Sequence, residues 1–327
     1  MTLDLTEVAS GLGFPEGPVA MADGSVLFVD IKDQLLRRLM PDGALVDVAK
    51  LPGGPNGTAI GPDGAAYVCN NGGVYSFEPY DPEAPPGSGK TPDPAREITI
   101  PSPVRPNYEG GSIQRVDLET GAVTTLYCKY KGKCLIAPDD IVFDKTGGFW
   151  FTDTGMQEGL TSESGAVYYA RIDGKALTRA AIVPTANGIG ISPDGNSLYV
   201  SDTVFGRLWV MKILGPGKLG PGPLPGMPGN VVQTLPGYQW LDSLKVEADG
   251  RVCVGTIFNG GITVFNPDDG STEHLGVPDL FTTNLCFGGA DMCDVWITAS
   301  STGKIYRTRW PRPGLKLHDQ AGDWKRP

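Results

Sequence analysis

The apolar positions of this chain come in short paired runs, each pair split by a tight polar turn. The template is Asp242–Gly250 (DSLKVEADG), in which a residue with a side-chain oxygen opens the unit, an apolar run follows and an Asp-Gly turn closes it. The same register recurs at Glu16–Gly24 (EGPVAMADG), Asn56–Gly64 (NGTAIGPDG), Asp139–Gly147 (DDIVFDKTG) and Asn187–Gly195 (NGIGISPDG), with a degenerate copy from Asn284 (NLCFGGADM). Each copy is followed by a second apolar or aromatic run, such as SVLFVD, GFWFTD or DVWITA. Two strands joined by a D-G turn predict a hairpin. Successive copies lie about 40 to 55 residues apart, with one gap of about 80, and such a period marks a propeller or solenoid. With four short strands per repeat, the pattern predicts an all-β, six-bladed β-propeller occupying residues 1–327 as a single domain.

Two stretches interrupt the repeat, a Pro-rich insertion near 78–111 and a Gly/Pro-rich one near 214–230. Prolines of that density argue against a central strand. Both are expected to be surface loops, the first placed where it can cover part of the channel mouth. The opening segment alternates well enough for a strand but precedes the first hairpin. Leu3–Ala9 is therefore expected beside Lys304–Arg309, closing the ring.

Equivalent positions in six blades stand at one height around the axis, so Glu16, Asn56, Asp139, Asn187, Asp242 and Asn284 are expected to ring the channel mouth. Three carboxylates and three amides offer only oxygen donors, the ligand chemistry of a hard divalent cation such as calcium. Asn and Asp also cap local backbone where a turn enters a strand. Turn chemistry, however, does not require one class of side chain at one offset in every repeat.

A net charge of −10 and a pI near 4.7 argue against nucleic acid and anionic membrane surfaces as partners. No apolar run approaches the roughly 20 residues of a membrane span, and MTLDLTEVASGLG lacks a basic segment followed by an apolar core, so a cytoplasmic protein, a monomer or small homo-oligomer, is expected. Cys69, Cys253 and Cys286 fall in apolar strand patterns, whereas Cys128 and Cys134 flank a Lys-rich loop across which they could meet. The two histidines, His274 in an outer loop and His318 in the tail, lie off the ring pattern. That argues against a Ser-His-Asp triad or an HExxH zinc site and leaves carboxylates and a metal as the catalytic groups. A cation at the mouth with an adjacent carboxylate suits hydrolysis of an activated carbonyl or phosphoryl ester.

The motifs FPEGP (14–18), PNG (55–57), PDDIVFD (138–144), ANGIGISPDG (186–195), LDSLKVEADG (241–250), FNGG (258–261) and CFGGAD (286–291), in this order and spacing, resemble the senescence marker protein/gluconolactonase family, which includes regucalcin. The resemblance covers nearly the whole chain. It implies a six-bladed propeller with one catalytic divalent metal, opening a lactone, in many members a sugar lactone, to its hydroxy acid; the ring's oxygen donors put calcium first, with zinc, manganese or magnesium as alternatives. It implies Glu16, Asn187 and Asp242 as metal ligands, Asp242 also as the favoured general base, and Asp139–Asp140 in place of the family's usual Asn-Asp. The extra carboxylate at Asp139 is read as a fourth ligand, as a base and second catalytic group, or as a change in metal preference. Asn56, Asp139, Asp140, Tyr108, Trp240 and Asn284 are the expected substrate contacts. Tyr108 and Trp240, with Phe258 and Phe281, lie near the expected rim and suit an aromatic or apolar lactone; blade packing is the alternative reading for each. Two other functions fit the same site, a phosphotriesterase of the fluorophosphatase type and a non-enzymatic calcium-binding propeller. A metal-free strictosidine-synthase-like propeller fits the oxygen-rich ring less well.

Overall fold

Each sequence repeat folds into the inner two strands of one four-stranded antiparallel sheet. The computed structural model describes residues 2–103, 107–158 and 161–317. From the axis outwards, blade 1 is Pro15–Ala20, Val26–Asp30, Leu35–Leu39 and Leu45–Lys50. Blade 2 is Pro55–Ile60, Ala66–Asn70, Ser112–Val116 and Val123–Tyr127, and blade 3 is Pro138–Phe143, Gly148–Glu158, Thr161–Arg171 and Leu177–Ile182. Blade 4 is Ala186–Ile191, Ser197–Asp202, Arg207–Gly215 and Asn230–Thr234, and blade 5 is Trp240–Val246, Val252–Ile257, Gly261–Phe265 and Thr272–Gly276. Blade 6 takes three strands from the C-terminal repeat, Thr282–Gly288, Asp294–Ala299 and Lys304–Arg309, and its fourth from the N-terminus, Thr6–Ala9. The ring closes as expected, with Thr6 opposite Arg307 and Glu7 opposite Tyr306.

Strand alternation explains how the blades adhere. Successive side chains of a strand point to opposite faces. In blade 3, Phe149 and Phe151 therefore pack with Tyr67 of blade 2, while Trp150 between them packs with Ile189, Val200 and Trp209 of blade 4. All three are fully buried, and each such side chain contributes about 1.5 to 3 kcal/mol.

The first insertion is more ordered than a loop. Ser76–Tyr80 pairs with Ile98–Ser102 as a separate two-stranded ribbon, which admits Pro79 and Pro101 because it has no third strand to bond. The ribbon reaches from blade 2 past blade 1 to blade 6, where Thr99 N donates to Ser301 O at 2.7 Å. In the second insertion, Lys218–Leu219 folds back on the end of the third strand of blade 4. Blade 3 departs differently: its two middle strands are eleven residues each and project beyond the blade.

At the other end of the central shaft, Leu315 and Leu317 of the C-terminal segment help line a small apolar pocket. Leu315 N donates to Val246 O, and the buried Glu247 accepts from Trp310 Nε1 at 2.7 Å and from Arg312. His274 lies on the outer strand of blade 5 rather than in a loop, its Nδ1 3.0 Å from Thr263 Oγ1, and His318 lies outside the described residues. Cys128 and Cys134 are both free and exposed. Among the described residues no helix is long and apolar enough to cross a membrane.

Candidate active site

The six ring residues sit where each inner strand breaks its pairing with the second strand. In blade 1 the register shifts between Glu16 and Val19, and corresponding shifts occur in all six inner strands. A β-bulge bends its strand and re-aims the local side chains, and here it does so around one axis. The residue after the ring position controls how closely neighbouring strands approach. Gly17 has φ +56°, and a Cβ there would overlap the carbonyl oxygen of Asn56; a Cβ on Gly57 would overlap that of Asp139. The E-G and N-G pairs of the repeat are thus what lets the ring tighten.

Neighbouring ring residues are hydrogen-bonded in amide–carboxylate pairs. Asn284 Nδ2 donates to Glu16 Oε2 at 2.7 Å, Asn56 Nδ2 donates to Asp139 Oδ2 at 2.9 Å, and Asn187 bonds the carboxylate of Asp242. Glu16 Oε2 also takes the Gly17 amide, and Asp242 Oδ1 takes Ser243 N at 3.0 Å. One oxygen on each of three residues, Glu16 Oε1, Asp139 Oδ1 and Asn187 Oδ1, is buried with no hydrogen-bond partner. Buried polar groups are normally satisfied, so three orphaned oxygens on one ring call for a partner that donates positive charge.

Electrostatics agree. Burial, then the backbone and Asn284 hydrogen bonds opposing it, then Asp140, leave the Glu16 carboxyl pushed up to about 7. Burial first, then the charge of Asp242 and Glu16, holds Asp139 well above the carboxylate range, and burial with Glu16 does the same for Asp242. Without a cation the site favours holding protons; an ion of charge +2 would relieve it. Among the described residues no trio of His, Cys, Asp or Glu forms a metal cluster by itself. The donor set that fits is carboxylate plus amide, which is hard-cation chemistry.

Five ring residues, Glu16, Asn56, Asp139, Asn187 and Asp242, line the floor of a mouth cavity of about 380 Å³, together with Trp240. The structure does not bring the other expected contacts there. Asn284 is fully buried and meets the site only through Glu16. Asp140 shares the bulge with Asp139 but is held in the shaft by its contacts, accepting from Ile141 N and Ile189 N and pairing with Lys245 Nζ at 3.5 Å. Tyr108 lies outside the cavity lining, its hydroxyl donating to Ile136 O at 2.8 Å. Sequence reasoning missed Phe14 and Phe77 as cavity residues. The position of Phe14, two before Glu16 and just ahead of its strand, was the available signal for the first.

Fold and site together define a six-bladed propeller with a floor of carboxylates and amides at one channel mouth. The SMP-30/Gluconolactonase/LRE-like region matches residues 14–301, and the chain belongs to that family. A gluconolactonase of Zymomonas mobilis is 26% identical over 340 aligned positions, spanning 92% of this chain and 80% of the relative. Lactonase drp35 of Staphylococcus haemolyticus is 30% identical over 129 residues, 39% of this chain and 38% of the relative. Among solved structures, a gluconolactonase of Xanthomonas campestris superposes with TM-score 0.70 at 21% identity, covering 94% of this chain and 89% of that one. Regucalcin of Agrobacterium tumefaciens, described as a calcium-binding protein, superposes with TM-score 0.67 at 16% identity over 97% and 99%.

Proposed function

We propose that the chain is a metal-dependent lactonase, a hydrolase that opens a small cyclic ester to its hydroxy acid. The observation that carries this reading is the set of three unpartnered buried oxygens on the floor of the mouth cavity, those of Glu16 and Asn187 free for an ion and that of Asp139 free for a water proton, in a family whose relatives are named for lactone hydrolysis. Glu16, Asn187 and Asp242 would hold one divalent ion, calcium by the hardness of the donor set. When bound, that ion polarises the ester carbonyl and lowers the pKa of a water.

The chain's own groups do the rest. Asp139 accepts the proton of the attacking water at Oδ1, the oxygen without a partner, while Asn56 holds Oδ2 and so aims the carboxylate. Asp242 is favoured here as a ligand, because its oxygens already take Ser243 N and the Asn187 amide. The acyl carbon gains the water oxygen, the acyl–oxygen bond breaks, and the ring oxygen leaves with the proton that Asp139 returns.

The test is turnover of a panel of sugar, aliphatic and aromatic lactones by protein loaded with calcium, zinc or manganese, beside calorimetric titration of the metal. Asp139→Asn is expected to keep metal binding and lose about 100-fold or more in kcat, within the range for general-base removal. Asp242→Asn is expected to weaken metal binding and abolish turnover. Failure to open any lactone would sink the proposal. A phosphotriester turned over faster than every lactone would assign the site to that chemistry instead.

A further inference from the structure

The six inner strands are equivalent in shape, yet what precedes the ring residue differs between one half of the circle and the other. Two places before Glu16 and Asp242 stand Phe14 and Trp240, and three before Asn284, across that strand's bulge, stands Phe281. The matching places before Asn56, Asp139 and Asn187 hold Gly54, Ala137 and Thr185. Blades 5, 6 and 1 are consecutive around the closed ring. Their aromatic groups therefore form one arc above the polar floor, and Phe14, Trp240 and Phe281 all line the cavity.

The arc is continuous. Phe14 and Phe281 lie 6.2 Å apart between ring centroids, and Phe258 bridges Phe281 at 5.8 Å and Trp240 at 5.1 Å. Tyr238 stacks on Phe258 at 5.3 Å and is 73% exposed, so the aromatic surface runs on out to solvent. The inserted ribbon extends it at the other end: Phe77 sits 5.0 Å from Phe14, and its cross-strand partner Pro101 also lines the cavity. An insertion that serves only as a loop need not bring an aromatic ring back over the mouth.

A polyhydroxylated substrate requires hydrogen-bond partners on all sides, since buried hydroxyls left unpaired cost free energy. Of the arc's rings that line the cavity, Phe14, Phe77, Trp240 and Phe281, only Trp240 carries a polar atom, Nε1, which is buried and has no acceptor. The facing wall, from blades 3 and 4, carries most of the polar side chains, Thr154, Gln157, Ser162, Thr185 and Thr203, set among Met156, Pro184 and Val204. The cavity thus has an apolar side for a flat ring and a polar side for heteroatoms. Aromatic rings prefer offset or edge-on contacts at centroid separations of about 4.5 to 7 Å, which such an arc can offer to a ligand.

We infer that the substrate is a lactone fused to a flat apolar ring, lying against the arc of Phe14, Phe77, Trp240 and Phe281, rather than a sugar lactone. The inference rests on the lactonase reading and names the substrate class of the same site. Water adds to the acyl carbon, the acyl–oxygen bond breaks, and a lactone whose ring oxygen is borne by the aryl ring opens to a phenol carrying a carboxylic acid, which loses its proton to solvent. No co-reactant beyond water is needed. Trp240 Nε1 donates to an ester oxygen of the bound substrate.

The experiment compares kcat/KM of the metal-loaded wild type, Phe77→Ala, Phe77→Leu and Trp240→Ala on three probes: an aryl-fused six-membered lactone, an unsubstituted six-membered lactone and gluconolactone. Phe77 lies on the ribbon outside the blades and packs on the core from its edge, so a thermal melt of each Phe77 variant separates lost stability from lost recognition. The wild type is expected to favour the aryl-fused lactone over gluconolactone by at least about 10-fold. Phe77→Ala and Trp240→Ala are expected to shift the ratio of aryl-fused to unsubstituted lactone by about 10- to 100-fold, mostly through KM, with Phe77→Leu recovering part of it. Gluconolactone preferred by a working enzyme, or equal losses on the aryl-fused and unsubstituted probes, would overturn this inference alone. No turnover of any probe would overturn the lactonase reading and this inference with it.

Discussion

Glu16 is a carboxylate removed from water and set beside other carboxylates, and its chemistry follows from that placement. Its pKa rises from the ordinary 4.5 to about 7, chiefly through burial. A group whose folded pKa is raised stabilises the fold below its unfolded pKa, and that contribution disappears as pH rises through the folded value. The metal-free protein should therefore lose stability between about pH 4.5 and 7. A divalent ion, which competes with those protons, should restore stability most at the alkaline end. Thermal melting with calcium and with chelator is expected to show a larger calcium-induced rise in midpoint at pH 8 than at pH 5.5; equal rises would place the ion elsewhere. Gly57 makes the second residue-scale case. Gly57→Ala would drive a methyl group into the Asp139 backbone, at a cost of about 1 to 3 kcal/mol with loss of turnover, measurable by denaturant melts and kinetics.

Among the elements, the blades were readable from the chain and their elaborations were not. A hairpin announces itself through local alternation and a D-G turn, so the inner strand pairs appeared where the repeats placed them. The inserted ribbon carries prolines that argue against a strand, and it forms because a two-stranded element leaves those positions unbonded on one side. The extended middle strands of blade 3 were likewise longer than GFWFTD suggested. The N-terminal strand is the element with the clearest mechanical role, since Thr6–Ala9 completes a sheet made by the other end of the chain. Deleting residues 1–9 should expose the edge of Lys304–Arg309 and lower the melting midpoint markedly, with aggregation on the exposed edge. An unchanged midpoint would show that closure does not depend on that strand.

For the whole molecule, the two ends of the shaft have different jobs. The mouth gathers oxygens and aromatic rings, whereas the opposite opening is packed with apolar side chains and crossed by the C-terminal segment. That crossing depends on Glu247, which is fully buried and neutralised by Arg312. Arg312→Ala would leave a buried carboxylate without its cation. Because Arg312 is itself partly exposed, a loss of about 3 kcal/mol, at the lower end for a buried pair, is expected in denaturant unfolding. The mouth lies at the far end, so lactone turnover of the folded variant should change little.

The chain by itself determined the all-β class, the number of blades and which six residues lie at one height, because periodicity and turn chemistry are local properties repeated at a regular spacing. It did not reveal that Asp140, expected as a substrate contact, is taken up instead by Ile141 N, Ile189 N and Lys245 below the mouth, because Asp140 lies in the bulge of its strand where simple alternation does not hold. Only the tertiary structure decided how the ring residues pair into carboxylate and amide couples. It also decided which oxygens are left without partners and that the blade 2 insertion comes to rest against blades 1 and 6. Those outcomes depend on contacts between strands far apart in the chain, where the approach of Gly17 to Asn56 and of Thr99 to Ser301 is set by closing the circle and by no pattern within any one segment.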